Sequence, residues 1–159
     1  MPIFIAMKVT FLLVLLLSCA SFSALAQDTT EYPAIRAVVN QLFEGMKKGD
    51  SSLVRSAFTS DAVMFTTYSD KKGTPYVEKG SLSEFLEAVG TPREEIWDER
   101  IHDVEIRKDD GLAQVWAPYI FYLDNNSVHC GVNAFQLVRT TEGWKIQTLT
   151  DSRRRVPCE

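Results

Sequence analysis

The chain has 159 residues, with 17 Lys and Arg against 21 Asp and Glu, for a formal net charge of −4 at pH 7. An acidic balance of this kind argues against a nucleic-acid partner, whose phosphates need a basic face. The length suffices for one domain with a genuine core and is too short for two.

Residues 1–26 read as a secretory signal peptide. Lys8 precedes an apolar run over residues 9–17, a polar and small stretch follows, and Ala24-Leu25-Ala26 supplies the small-x-small pattern before Gln27. The run is too short to span a bilayer. Met7-Lys8 is a more usual start than Met1-Pro2-Ile3. Two other readings stay open: Leu16-Leu17-Ser18-Cys19 has the form of a lipobox, which would place a lipid on Cys19, and the segment could remain as an uncleaved anchor. Cleavage leaves residues 27–159 as a single domain, secreted or periplasmic, with no stable membrane insertion. Loss of Lys8 leaves 16 basic residues facing 21 acidic ones. The run Arg153-Arg154-Arg155 then reads as a solvated edge.

Residues 28–48 predict a first helix, since Tyr32, Ile35, Val38, Val39, Leu42, Phe43 and Met46 recur at three- and four-residue steps. Thr29 or Thr30 can cap it and Gly49 can end it. Asp50 or Ser51 caps a short second helix with Leu53, Val54, Ala57 and Phe58 inward. A strand follows over residues 61–67. The turn-rich stretch 68–80 contains Lys71-Lys72-Gly73 and a Pro75 suited to an edge or loop. Ser81 and Glu84 stand in capping-box spacing at the head of a third helix with Leu82, Phe85, Leu86 and Val89 on one face. Residues 97–108 read as one strand entering the Asp109-Asp110-Gly111 turn.

Residues 112–123, 128–139 and 144–150 are rich in β-branched and aromatic residues and are separated by turn-formers, the pattern of a β-meander. With even loops, residue 123 faces 128 and residue 139 faces 144. One face then carries Trp116, Pro118, Ile120, Tyr122, His129, Gly131, Asn133, Phe135, Leu137, Trp144, Ile146, Thr148 and Thr150, with Tyr122 opposite His129. The end around Phe135, Leu137, Trp144 and Ile146 is apolar, as a core requires. The other end mixes an aromatic with His129, Asn133, Thr150 and Gly131, the composition of an apolar pocket with a few convergent polar groups. The opposite face, with Ala117, Tyr119, Phe121, Leu123, Val128, Cys130, Val132, Ala134 and Val138, is apolar too and predicts a homodimer through the outer sheet face. In this register Cys130 lies across from Arg153. Cys158 can fold back to bridge it, or Cys130 is a buried small hydrophobe and Cys158 a free thiol.

Helices followed by a curved antiparallel sheet resemble the superfamily of nuclear transport factor 2, the ketosteroid-isomerase-like proteins and the SnoaL-like cyclases. Trp116-Ala117-Pro118-Tyr119 with Phe121-Tyr122, the run from His129 to Leu137, Gly143-Trp144-Lys145-Ile146 and Asp151-Ser152-Arg153-Arg154 resemble the C-terminal signature of the putative lumazine-binding family within it. The resemblance implies an α+β, cone-shaped barrel with N-terminal helices packed on a curved, mainly antiparallel sheet, and a small pocket at its open end. The carboxylate and tyrosine pattern of the better-understood relatives has no residue-by-residue match here.

The candidate ligand-binding residues are therefore Trp116, Tyr122, His129 and Asn133. Trp116 and Tyr122 can stack on a flat heterocycle or serve as core. His129 is the candidate catalytic base, suited by its ordinary titration range, or a histidine hydrogen-bonded at a strand start. A mid-strand Asn133 must find partners once buried. Asp61 stands where relatives in the superfamily place polar pocket residues, or is a cap or turn residue; Asp151 falls on the other face, where it can pair with an Arg across the rim. No metal-ligand spacing, phosphate loop or nucleophile elbow is present, so no metal and no cofactor are expected. Three functions fit: a binder of a small apolar or aromatic molecule, an enzyme doing proton transfer on a carbonyl compound, or an assembly module with no ligand.

Overall fold

The computed structural model describes residues 29–155 and residue 158. Residues 1–28, with the expected signal peptide and Cys19, lie outside the described residues. Helix α1 (Tyr32–Lys48) buries Ile35, Val39, Leu42, Phe43 and Met46 along one stripe. It begins later than its sequence pattern, because Glu31 occupies the N-cap without a side-chain cap bond. Its carboxylate instead pairs with Lys108 and Arg139 across the domain. Gly49 ends the helix at φ 67°, where a residue without Cβ is favoured. Helix α2 (Ser51–Ser56) is capped by Asp50, whose Oδ1 accepts from the Leu53 amide at 2.9 Å. Gly45 lets α2 approach α1, since a Cβ there would lie 2.6 Å from the Val54 side chain.

The turn-rich stretch after the first strand is a hairpin rather than a loop. Strand β1 (Phe58–Ser69) pairs antiparallel with β2 (Pro75–Gly80). Pro75 opens β2, and β2 ends the sheet, which suits a residue with no amide to donate. Helix α3 (Leu82–Gly90) starts at Ser81, whose Oγ accepts from the Glu84 amide. The single strand expected over residues 97–108 is broken. Asp103 turns to φ 43°, separating β3 (Trp97–Ile101) from β4 (Glu105–Asp109), and both pair with β5 (Leu112–Leu123).

Strands β5, β6 (Asn126–Thr140) and β7 (Gly143–Arg155) form the meander. The order is β2-β1-β7-β6-β5-β3, with β4 also on β5; β1 runs parallel to β7 and the other pairs are antiparallel. The sheet does not close on itself, so the cone is an open, curved α+β sheet whose concave side packs on the helices. Val115, Phe135, Leu137 and Ile146 meet Ile35 and Val39 there, all at 0% exposure.

The register differs from the sequence pattern in two places, each by one residue. A two-residue turn at Asp124 and Asn125 closes β5 onto β6, and Val128 is then left unpaired, so Phe121 faces His129 and Trp116 faces Ala134. In β7, Gln147 is left unpaired, so Leu137 faces Ile146 but Gln136 faces Thr148. A one-residue offset moves every later side chain to the opposite face. Ala113, Val115, Ala117, Tyr119 and Phe121 therefore turn inward on β5, and Leu149, Asp151 and Arg153 turn inward on β7. Trp116, Pro118, Ile120, Tyr122, Thr148 and Thr150 turn outward, correcting the expected face. On β6 the expected phase stands, with His129, Gly131, Asn133, Phe135 and Leu137 inside. Cys130 points outward and is bonded to Cys158.

Gly131 leaves no hollow. A Cβ there would fall 1.7 Å from the Ser152 carbonyl oxygen and 3.1 Å from the Tyr119 ring. The glycine is required for close pairing of β6 with β7 and for the ring laid over it. Gly131→Ala is expected to lower stability by about 3 kcal/mol, whereas Gly111→Ala, whose nearest neighbour would be 3.8 Å away, stays within about 0.5 kcal/mol of the parent. Urea melts of the two variants check this.

Candidate functional site

At the open end of the cone, between α1, α3 and the concave sheet, lies a cavity of about 480 Å³. Its upper walls are apolar: Leu42, Phe43 and Met46 from α1, Phe85 from α3, and Met64, Trp97, Phe121 and Leu149 from the strands. Trp97 is held in place by Arg93, whose guanidinium lies 3.9 Å from its ring centroid. That guanidinium also donates to the carbonyls of Ala88, Val89 and Met46, tying the ends of α3 and α1 together.

The floor is polar, and its rows follow from the strand register. Glu99 on β3 shares a row with Phe121 and His129; Tyr119, Gly131 and Arg153 form the next row, with Asn133, Asp151 and Thr66 in a third. The Asn133 amide nitrogen donates to Glu99 Oε1 at 2.6 Å, and Asn133 is 3% exposed. Asp151 accepts from Thr66 Oγ1 at 2.6 Å and from the Tyr119 hydroxyl at 3.3 Å, and pairs with Arg153 Nε at 3.4 Å. The Tyr119 hydroxyl also reaches the Ser152 carbonyl at 3.2 Å.

Burial dominates the electrostatics. It pushes the Glu99 carboxyl up to about 7, with the Asp151 charge adding to the rise and the Asn133 hydrogen bond and Arg153 opposing it. Tyr119 is raised by burial and by the nearby carboxylates, so its hydroxyl stays a donor. His129 is lowered to about 4 by burial and by the Arg153 cation. At neutral pH its ring is uncharged. It is held between aromatics, stacked on Phe121 at 4.8 Å and edge-on to Tyr119 at 5.8 Å.

Of the four expected ligand residues, His129 and Asn133 line the cavity and Trp116 and Tyr122 do not. Trp116 is 50% exposed on the outer face. Tyr122 lies on that face too, under the Arg100 guanidinium at 4.1 Å. The cause is the residue inserted at Val128. As a base His129 is weak, because its ring gives up its proton far below neutrality. Asp61 is exposed on β1, and His102 pairs with Asp103 at the surface. Glu99, Tyr119, Asp151, Thr66 and Arg153 escaped the sequence reading. For Glu99 a signal exists: it stands in phase with Trp97 and Ile101, an acid on an otherwise apolar strand face. For Asp151 none does, since the Gln147 bulge inverts its direction. Among the described residues, no three His, Cys, Asp or Glu side chains gather as metal ligands, and no helix is long and apolar enough to cross a membrane.

The Glu99 carboxyl titrates near 4.5 when free and near 7 in the fold. The folded state therefore retains the proton across that window, and the stability this group contributes is full below about pH 4.5 and is lost as pH rises through 7. Glu99→Gln removes this loss: relative to the parent, the variant is expected to gain on the order of 3 kcal/mol between about pH 5 and about pH 8. Denaturation midpoints across that range measure it. His129 titrates in both proteins and cancels in the comparison.

No curated protein matches the chain in sequence. Among solved structures it is similar to a nuclear-transport-factor-2-like protein of unknown function from Shewanella baltica, with TM-score 0.61 and 18% identity over 82% of this chain and 99% of that one. It is similar to a protein of unknown function from Mycobacterium tuberculosis, with TM-score 0.64 and 16% identity over 80% and 73%. A putative scytalone dehydratase from Novosphingobium aromaticivorans aligns with TM-score 0.60 and 14% identity over 81% and 86%. These identities speak to the fold. The sequence profile described as putative lumazine-binding matches residues 30–149, and with the helix-filled open cone this places the chain in the putative lumazine-binding family, on the nuclear-transport-factor-2-like fold.

Proposed function

We propose that the domain is exported, to the periplasm or outside the cell, and binds one small apolar or aromatic molecule in the cone. The observation that carries the binding is a cavity of about 480 Å³ with aromatic walls and a few polar groups gathered at its base, while export rests on the reading of residues 1–26. Ligand pockets have this size and this division of labour, hydrocarbon for affinity and a few fixed polar atoms for orientation. In the bound state Phe43, Trp97 and Phe121 hold the body of the guest, and Glu99 and Asn133 meet its polar atom.

A second reading is acid–base catalysis on a carbonyl compound, favoured by a buried carboxyl that titrates near neutral pH. Glu99 takes the role of base in place of His129, and Tyr119 donates to the developing oxyanion. The name of the Novosphingobium relative, a putative scytalone dehydratase, belongs to that protein and lends this reading a precedent of fold. The outer sheet face, with Trp116, Ile120, Val132 and Ala134, is the proposed homodimer surface.

A panel of steroids, naphthols and fused heterocycles tests the binding reading by thermal shift. At least one member is expected to raise Tm, and Phe121→Ala is expected to weaken that ligand tenfold or more; a flat response across the panel defeats the idea. Turnover of a cyclic ketone or lactone that Glu99→Gln abolishes, with folding intact, would select the enzyme. For the dimer, light scattering is expected to give twice the chain mass for the parent and the single-chain mass for Trp116→Glu; an unchanged mass removes the interface.

A further inference from the structure

Each charge facing the cavity floor has a partner within the fold except one. From β7, Asp151 and Arg153 pair with each other at 3.4 Å. On the outer side of β3, Asp98 holds both Lys47 of α1, at 3.3 Å, and Arg100, at 2.8 Å. Glu44 of α1 is taken by Lys48 at 2.8 Å. His129 from β6 and Tyr119 from β5 stand uncharged at neutral pH, and Asn133 carries no charge. Among the described residues, Glu99 is left with a single hydrogen bond, from Asn133, and with no cation in contact.

A carboxylate withdrawn from water is costly unless a positive charge or several donors compensate it. For a neutral guest an amide at this position would offer the same hydrogen bonds without that cost. In a site that binds without turnover, a carboxylate contributes something further to a guest that brings a positive charge. The walls agree with such a guest, because aromatic rings accept hydrocarbon and cations alike. The Arg93 guanidinium already lies on Trp97. Arg153 cannot serve Glu99 fully, being committed to Asp151 with half of its side chain in solvent.

We infer that the ligand of this cavity is a hydrophobic amine, its ammonium group set against Glu99 and Asn133 and its hydrocarbon held by Phe43, Phe121 and Trp97. The inference rests on the binding reading above and narrows it to a chemical class. Arrival of the ammonium ionises Glu99, so binding in the range where the free carboxyl keeps its proton releases that proton to the buffer. Occupancy by an amine consequently strengthens as pH rises from about 6 to about 8. A neutral guest that accepts a hydrogen bond from the protonated carboxyl behaves oppositely.

The test uses two probes of one shape, 1-naphthylmethylamine and its neutral isostere 1-naphthalenemethanol, titrated calorimetrically into the parent protein and into Glu99→Gln. The parent is expected to prefer the amine by tenfold or more at about pH 8. It should also release close to one proton per amine bound at about pH 6, read from buffers of different ionisation enthalpy. Glu99→Gln should erase both the preference and the proton release. Equal or tighter binding of the alcohol overturns the amine assignment and leaves the binding cavity standing; an amine preference that survives Glu99→Gln overturns the role of Glu99. If neither probe binds, the amine assignment falls, and the thermal-shift panel above decides whether the binding reading stands. Should Glu99→Gln misfold, the pH trend and proton release of the parent decide alone.

Discussion

Two unpaired residues in the meander govern which atoms reach the interior. Val128 and Gln147 each insert one residue into a strand whose neighbour has none, and side chains alternate with a period of two. Beyond each insertion the faces exchange. The bulge at Val128 sets His129 and Phe121 in one row, inside. The bulge at Gln147 brings Leu149, Asp151 and Arg153 inside with them. Without the second, the floor would present Thr148 and Thr150 and carry no carboxylate from β7. The greasy end of the cone would be unchanged, because Trp144, Ile146, Leu137 and Phe135 precede or escape the shift. Core and site are thus specified separately along the same strands.

The same pairing imposes Gly131. Close contact of β6 with the Ser152 carbonyl, and the Tyr119 ring over the glycine, leave no room for a methyl group. The ring so placed points its hydroxyl at Asp151 and Ser152. Backbone sterics on one strand therefore orient a donor on the next. The helices close the other side: Arg93 fastens α3 to α1 and holds Trp97 as a wall, which keeps the mouth shaped even though α3 is only nine residues long.

Within that shell the charges are unevenly matched. Asp151 is surrounded by a hydroxyl, a phenol and a guanidinium; Glu99, a short distance along the floor, has one amide. Two carboxylates in similar burial thus differ in what they can do. The first is held in place by its three partners, and the second, with its carboxyl pushed up to about 7 by burial, can change its protonation near neutral pH. His129 is confined between rings and stays neutral, which leaves Glu99 as the cavity group whose carboxyl is pushed up to about 7.

The chain by itself determined the elements and the class of fold. Amphipathic spacing marked α1 and α3, Asp50 and Ser81 marked helix starts, and alternating β-branched residues marked the meander, because these signals depend on neighbours a few residues apart. The inward phase of β6, and with it His129 and Asn133, was legible too. What only the tertiary structure decided were the hairpin β1–β2, the break at Asp103, the bond between Cys130 and Cys158, and the facing of β5 and of the far half of β7. Trp116 and Tyr122 moved to the outer surface, and Glu99, Tyr119 and Asp151 took their places. The physical reason is that a bulge is a compromise among strands distant in sequence: it relieves twist and packing across the sheet, and no local residue pattern at Val128 or Gln147 announces it.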